Sequence, residues 1–292
     1  MHTTVPKFKV PNLKGKVAVV SGASRGIGKG IASVLGQCGA TVYVTGRSTI
    51  SHQNSEGIKG TIDETASLVT SNGGKGIAVQ CDHTKHEDVK NLFEKVKNEQ
   101  GRLDLLVNAA WPGYENYDDH KFDAPFWQQP FDIRWNSMFD GGVKATMLTS
   151  FHAVPIMLPQ KSGLIINLTA WEKNNKFIQN VFYDTAKSSI NRMAFGLSEE
   201  LRKEGIAVLS LGPGWTKTER VAFSLEKQNQ EGLLANIESA EYSGRAVASL
   251  FGDEKIMEKS GKWFAVGDVA AEYDFTDVDG RYFPAFEMPD AS

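Results

Sequence analysis

Cysteine is nearly absent from this 292-residue chain: there are two, Cys38 and Cys81, and neither has a Cys-x-x-Cys neighbour. That points to neither a disulfide framework nor a thiolate zinc site. The six histidines form no metal-binding signature, so no metal is expected. His83 and His86, three apart in a turn before a helix, are expected to face solvent. Lys and Arg number 32 against 35 Asp and Glu, a net charge of −3 with no basic run. This argues against nucleic acid and anionic membrane surfaces as partners. No apolar run reaches about 18 residues, and residues 1–14 lack the hydrophobic segment of a secretion signal, so a cytoplasmic protein without membrane contact is expected. Internal repeats and low-complexity tracts are missing too.

What is present is a regular alternation. With 41% hydrophobic residues, the chain can bury a large core. The pattern never resets, so one domain over 1–292 is expected. After an extended lead-in at 1–14, containing Pro6 and Pro11, strands are predicted at 16–21, 41–45, 76–81, 103–108, 163–168 and 206–211, with a seventh near 261–266. Helices are predicted at 26–38, 61–72, 87–100, 138–158 (interrupted near Pro155) and 180–203. Residues 48–60 read as a surface loop, 219–258 as mostly helical, and 268–292 as a C-terminal extension. Alternating strands and helices imply an α/β fold, a Rossmann-type doubly wound parallel sheet of about seven strands.

The stretch 16–30 organises the rest. A charge-free strand, with Val17, Val19 and Val20, turns into a helix through Gly22, Gly26 and Gly28. Glycines let the backbone bend sharply and let a phosphate reach the amide N–H groups, and the helix N-terminus adds a positive dipole end. Strand two ends at Gly46 and Arg47, where an acidic residue would favour NAD. Arg47, with Arg25 in the turn, suits a 2′-phosphate instead, so NADP(H) is the expected cofactor.

Residues 111–135 break the rhythm with Trp111, Tyr114, Tyr117, Phe122, Phe126, Trp127, Phe131 and Trp135. A long loop after strand four emerges at the carboxyl edge of the sheet. It reads either as a substrate wall or as a subunit contact or self-packed loop. Further on, Tyr183-Asp-Thr-Ala-Lys187 puts a phenol and an ammonium one helical turn apart. The ammonium lowers the phenol's pKa toward working pH, making Tyr183 a general acid or base.

The spacing Gly-x-x-x-Gly-x-Gly in Ser21-Gly-Ala-Ser-Arg-Gly-Ile-Gly28 resembles that of the short-chain dehydrogenase/reductase family, and Tyr183-x-x-x-Lys187 after strand five fits it. The resemblance spans about 14–282. It implies that Gly22, Ser24, Arg25, Gly26, Ile27 and Gly28 hold the cofactor with Arg47. Asp82 would touch adenine, and Asn108 opens the family's Asn-Asn-Ala-Gly motif. Pro213, Gly214 and Thr218 of Pro213-Gly-Trp-Thr-Lys-Thr218 would meet the nicotinamide, while Tyr183 and Lys187 serve catalysis and ribose binding. The implied activity is carbonyl reduction, or the reverse alcohol oxidation, on a small to medium apolar substrate.

The chain also departs from the family. The motif reads Asn108-Ala-Ala-Trp111. Ala170 stands at the family serine, leaving adjacent Thr169 to supply a hydroxyl or the role empty. Gly142 stands at the family asparagine, as in one branch of the family that Gly101-Arg-Leu-Asp-Leu-Leu-Val-Asn108, Ala124-Pro-Phe-Trp127 and Asp277-Val-Asp-Gly-Arg281 also resemble. These departures support an alternative, a non-catalytic NADP(H)-binding sensor or scaffold. The family's dimers or tetramers use the helices after strands four and five. Here Val143, Met147 and Phe151 could form such a face or could face their own sheet.

Overall fold

The computed structural model describes residues 7–52, 57–115, 121–170 and 176–287. Six strands come first, β1 (Val17–Val20), β2 (Thr41–Gly46), β3 (Lys75–Gln80), β4 (Leu105–Asn108), β5 (Gly163–Leu168) and β6 (Ile206–Gly212). Between them lie α1 (Gly26–Gln37), α2 (Ile62–Ser71), α3 (His86–Gln100), α4 (Phe131–Arg134), α5 (Ala145–Met157) and α6 (Val181–Leu201). The chain continues through β7 (Thr216–Lys217), α7 (Glu219–Lys227), β8 (Glu238–Ser239), α8 (Ala240–Phe251), β9 (Trp263–Ala265) and α9 (Val266–Glu272).

Seven strands form one parallel sheet in the order β3-β2-β1-β4-β5-β6-β9, the doubly wound architecture expected. Successive side chains in a strand point to opposite faces. In β1 both sets are buried: Ala18 and Val20 join one core with Ile31, Leu35 and Val247, and Val17 and Val19 join the other with Phe93, Leu106 and Val208. This two-sided burial explains the charge-free β1 sequence. The strand order reverses between β1 and β4, so the carboxyl ends of those strands open the crevice where α/β sheets bind ligands.

Strand and helix boundaries generally fall close to those expected, with three differences. First, the helix after β4 begins earlier, with α4, a π-helical stretch Trp135–Lys144, and then α5. Pro155 lies inside α5 without ending it. The carbonyl left without its donor belongs to Phe151, whose side is turned to solvent (66% exposed), so water can satisfy it. Second, 219–258 is not one helical region: β8 pairs with β7 between α7 and α8. Third, His83 is buried, its Nε2 2.9 Å from Thr45 Oγ1 and its Nδ1 3.6 Å from Cys81 Sγ. Burial pushes its pKa down to about 4. The polar turn masked the fact that this residue folds under the end of β2. His86 is exposed, as expected.

The described part of the lead-in crosses the far ends of the chain, with Lys7 N donating to Thr276 Oγ1 at 2.9 Å. Within 268–292, Phe275 and Asp277 are buried; Asp277 accepts from Ser239 N at 2.7 Å. Pro6, Tyr117 and residues 288–292 lie outside the described residues.

Candidate active site

Ser21 Oγ accepts from Ala109 N (3.0 Å) and Ala110 N (3.1 Å), fastening the end of β1 to the segment after β4. Here Gly22, with φ +64°, has no room for a side chain: a Cβ would lie 2.6 Å from Ala110 Cα. A Cβ on Gly28 would lie 2.5 Å from the Gly22 carbonyl oxygen. These two glycines therefore permit the turn and the close seating of α1 against it. At the start of α1, Gly26 N donates to Glu219 Oε2 at 2.6 Å, and Lys29 pairs with the same carboxylate at 3.3 Å. The turn thus binds an anionic oxygen supplied by the chain itself, as its amide and dipole geometry favours.

A groove opens at this turn. Among its lining residues are Gly22, Ser24, Arg25, Gly26, Ile27, Gly28, Arg47 and Asp82, and with them Thr169, Tyr183, Lys187, Pro213 and Thr218. Arg25 Nη2 donates to Ser48 Oγ (2.9 Å) and to the Gly60 carbonyl (3.0 Å), holding the edge of the 48–60 loop to the turn. Arg47 pairs with Glu115. Asp82 Oδ1 accepts from Thr84 N and Oγ1 at 3.1 and 2.8 Å. Although burial opposes its charge, those bonds and the Arg47 and Lys85 cations hold the carboxyl below its ordinary range.

Asn180 caps α6. Its Oδ1 accepts from Tyr183 N at 2.9 Å, and its Nδ2 donates to the Phe122 carbonyl at 2.7 Å. The cap fixes the first helical turn, which carries Tyr183, with Lys187 one turn further. Both are buried. Lys187 Nζ donates to the Leu168 carbonyl at 3.4 Å and lies 3.6 Å from the centre of the Trp111 ring. Burial pushes the Lys187 pKa down to about 7. Tyr114 Oη donates to Tyr183 Oη at 3.0 Å, and the two rings stack with centroids 5.8 Å apart. Trp111 and Phe122 meet the Tyr183 ring edge-on, each at 5.5 Å.

The first part of the aromatic loop therefore surrounds Tyr183. Its later part does not: Phe131, Trp135 and Phe139 stack in a ladder on the outside of the π-helical stretch. That ladder continues along an apolar groove lined by Val143, Met147 and Phe151. Met147 and Phe151 are exposed, which decides against their facing the sheet.

Several residues singled out in the sequence serve the scaffold. Asn108 is buried, its Nδ2 donating to Ser150 Oγ (3.2 Å) and Asn167 Oδ1 (2.9 Å), and it joins β4 to β5 and α5. Thr169 Oγ1 donates to the Lys187 carbonyl at 3.2 Å, so its hydroxyl rests on the α6 backbone and not on Tyr183. Thr218 Oγ1 caps α7, accepting from Val221 N at 3.2 Å. Gly214 N donates to buried Glu238 Oε1 at 3.0 Å.

Two relationships were not visible in the sequence. A Cβ on Gly142 would lie 2.4 Å from Trp111 Cζ3, so the indole fills the place that a longer residue at 142 would need. The signal was there in part, since a bulky residue at a glycine position accompanies a glycine at an asparagine position. The second is the Tyr114 hydroxyl on Tyr183, carried by a loop with no periodicity to place it.

The family description "short chain dehydrogenase" matches residues 16–229. Dehydrogenase/reductase SDR family member 1 of Mus musculus is 36% identical over 282 residues, covering 93% of this chain and 86% of that protein. Its Homo sapiens counterpart is 35% identical over 279 residues, covering 92% and 85%. Among solved structures, a short chain dehydrogenase from Mycobacterium thermoresistibile superposes with a TM-score of 0.78 at 23% identity, over 94% of this chain and 95% of that one. L-sorbose reductase from Gluconobacter frateurii, in complex with NADPH and L-sorbose, gives 0.72 at 23% identity, over 91% and 97%. No helix among the described residues is long and apolar enough to cross a membrane. A match over most of the chain at this identity places the protein in the short-chain dehydrogenase/reductase family of oxidoreductases.

Proposed function

We propose that this protein is an NADP(H)-dependent oxidoreductase that reduces a carbonyl, or oxidises the matching alcohol, on a small to medium apolar substrate. In this reading residues 1–292 form one catalytic domain, cytoplasmic and assembled as a homodimer or homotetramer. One observation carries it: buried Tyr183 and Lys187 line the same groove as Arg25, Arg47 and the glycine turn.

The residues fit a dinucleotide phosphate. Gly26 N in the glycine turn already donates to a carboxylate oxygen, and the two arginines suit a further phosphate by charge and by their planar forks. Ser24, Ile27 and Asp82 line the same groove, as do Pro213 and Thr218. When bound, the nicotinamide supplies or accepts the hydride. Tyr183 gives its hydroxyl proton to the substrate oxygen in reduction and takes it back in oxidation. Lys187, in its charged form, favours the phenolate that this transfer leaves. Trp111 and Phe122 pack on the Tyr183 ring and keep water from it. Thr169, through its bond to the Lys187 carbonyl, fixes the helix that carries both groups.

Fluorescence titration with NADPH and NADH, followed by NADPH consumption on cyclohexanone, acetophenone and benzaldehyde, tests this. NADPH is expected to bind more tightly than NADH and to be consumed. Tyr183→Phe is expected to abolish turnover while leaving NADPH affinity within twofold; retained turnover refutes the role of Tyr183. The Trp111 ring at Gly142 and the Thr169 bond to the α6 backbone favour a second reading, an NADP(H)-binding sensor or scaffold. NADPH binding without turnover of the panel selects it.

A further inference from the structure

Position 170, where the family serine would bind the substrate oxygen, is alanine, and the neighbouring Thr169 hydroxyl donates to the Lys187 carbonyl at 3.2 Å. A different hydroxyl reaches the reacting phenol. Tyr114 Oη lies 3.0 Å from Tyr183 Oη and donates to it. Both residues line the same groove as Lys187.

We infer that Tyr114 is a second catalytic phenol, donating a hydrogen bond to the carbonyl oxygen that Tyr183 protonates. This rests on the reductase reading above. Two hydroxyls 3.0 Å apart can both reach one acceptor, since a triangle of oxygens with sides near 3 Å satisfies ordinary hydrogen-bond lengths. As hydride reaches the carbonyl carbon, the O–H bond of Tyr183 breaks and a new O–H bond forms on the substrate. Tyr114 keeps its own proton throughout. It polarises the carbonyl beforehand, and once the proton has left Tyr183 its O–H turns back to the phenolate, the direction it takes in this structure, so that a donor faces the oxygen on which negative charge develops.

The surroundings suit that task. Tyr114 is pinned from both sides: Arg220 Nη1 donates to its carbonyl at 2.9 Å, and the next residue, Glu115, pairs with Arg47. Its ring stacks on Tyr183, at an interplanar angle of 29°. Tyr114 is 37% exposed, yet desolvation of its hydroxyl, packed against Tyr183, raises that group's pKa well above 10, so it remains a donor through the neutral range.

The test is Tyr114→Phe in the full chain, which removes one oxygen and keeps the stacked ring. Circular dichroism and Tm confirm folding. In NADPH-dependent reduction of cyclohexanone, acetophenone and benzaldehyde, kcat/KM is expected to fall about 100-fold or more, with the NADPH Kd unchanged within twofold. A second readout needs no cofactor. With ¹³Cζ-tyrosine labelling, and Tyr183→Phe to assign the signal, Tyr183 is expected to titrate about one pH unit higher in Tyr114→Phe, because its phenolate has lost a donor. Wild-type turnover matched within twofold by Tyr114→Phe overturns the inference alone, as does an unmoved Tyr183 titration. A wild type that binds NADPH and reduces none of the three overturns the reductase reading, and this inference with it.

Discussion

Glu238 offers a prediction whose size can be worked through. Its side chain is almost fully buried (3% exposed) where β8 meets the loop after β6. Its Oε1 accepts from Gly214 N at 3.0 Å and from Thr216 Oγ1 at 3.1 Å, so the carboxyl clamps the Pro213–Thr218 segment beside the candidate site. Burial pushes its pKa up from 4.5 to about 8, against those two bonds, and nearby Asp277 adds to the rise. Below pH 4.5 the group is protonated in folded and unfolded chains alike, and its full contribution is present. Between 4.5 and about 8 the folded state holds a proton that the unfolded state has released, so stability declines as pH rises, and above 8 the contribution is gone. At about 1.4 kcal/mol per tenfold change in proton affinity, the ceiling is about 5 kcal/mol, and relaxation around the ionised group should leave about 2 kcal/mol or more to be seen.

Glu238→Gln keeps the accepting oxygen and removes the titration. Urea unfolding from pH 5 to pH 9, in wild type and variant, should give similar stability at pH 5 and a wild-type deficit opening toward pH 9. Catalytic turnover should show the same alkaline loss, relieved in the variant, because the clamp holds residues flanking the site. Parallel stability curves across that range would refute the reasoning.

Two further outcomes follow from the surface of the site and of the fold. Glu115→Gln removes the carboxylate that pairs with Arg47. An exposed pair is worth up to about 1 kcal/mol, so NADPH should bind up to about fivefold more tightly, with NADH unchanged in the same titration. Phe151→Asp places a charge on the exposed strip with Met147. If the proposed oligomer forms through this strip, light scattering should show a lower mass for the variant than for the wild type; an unchanged mass would clear the strip of any part in assembly.

How much of this was legible beforehand depends on what each residue answers to. Val17 to Val20 answer to burial on both faces, and Gly22 and Gly28 to backbone clearance. Such local constraints leave a pattern that can be read along the chain, and the whole sheet followed from it. Tyr183 and Lys187 were readable because one helical turn sets their separation. His83 was misread, since a polar residue in a polar turn gives no sign that it bonds to Thr45 beneath β2. Thr169 was placed correctly at the end of β5, but its rotamer depends on the Lys187 carbonyl, 18 residues on. Tyr114 shows the same limit most clearly. Its hydroxyl reaches Tyr183 across 69 residues of sequence, through a loop that lacks regular periodicity. Asn108 was legible only through a motif, which gave no sign that its amide brackets β4 to β5 and α5.

The fit of Trp111 against Gly142 constrains what each position can hold. An asparagine at 142 would force the indole out of its present place, because even its Cβ would lie 2.4 Å from the ring. Removing the indole alone leaves a hole beside Lys187, whose ammonium now rests on that ring at 3.6 Å. The two positions are therefore coupled: a side chain at 142 displaces the indole, and a small residue at 111 leaves the space over Gly142 empty, so the effect of changing one depends on what stands at the other. A small residue at 111 combined with a larger one at 142 is thus expected to cost less stability than the sum of the two single changes.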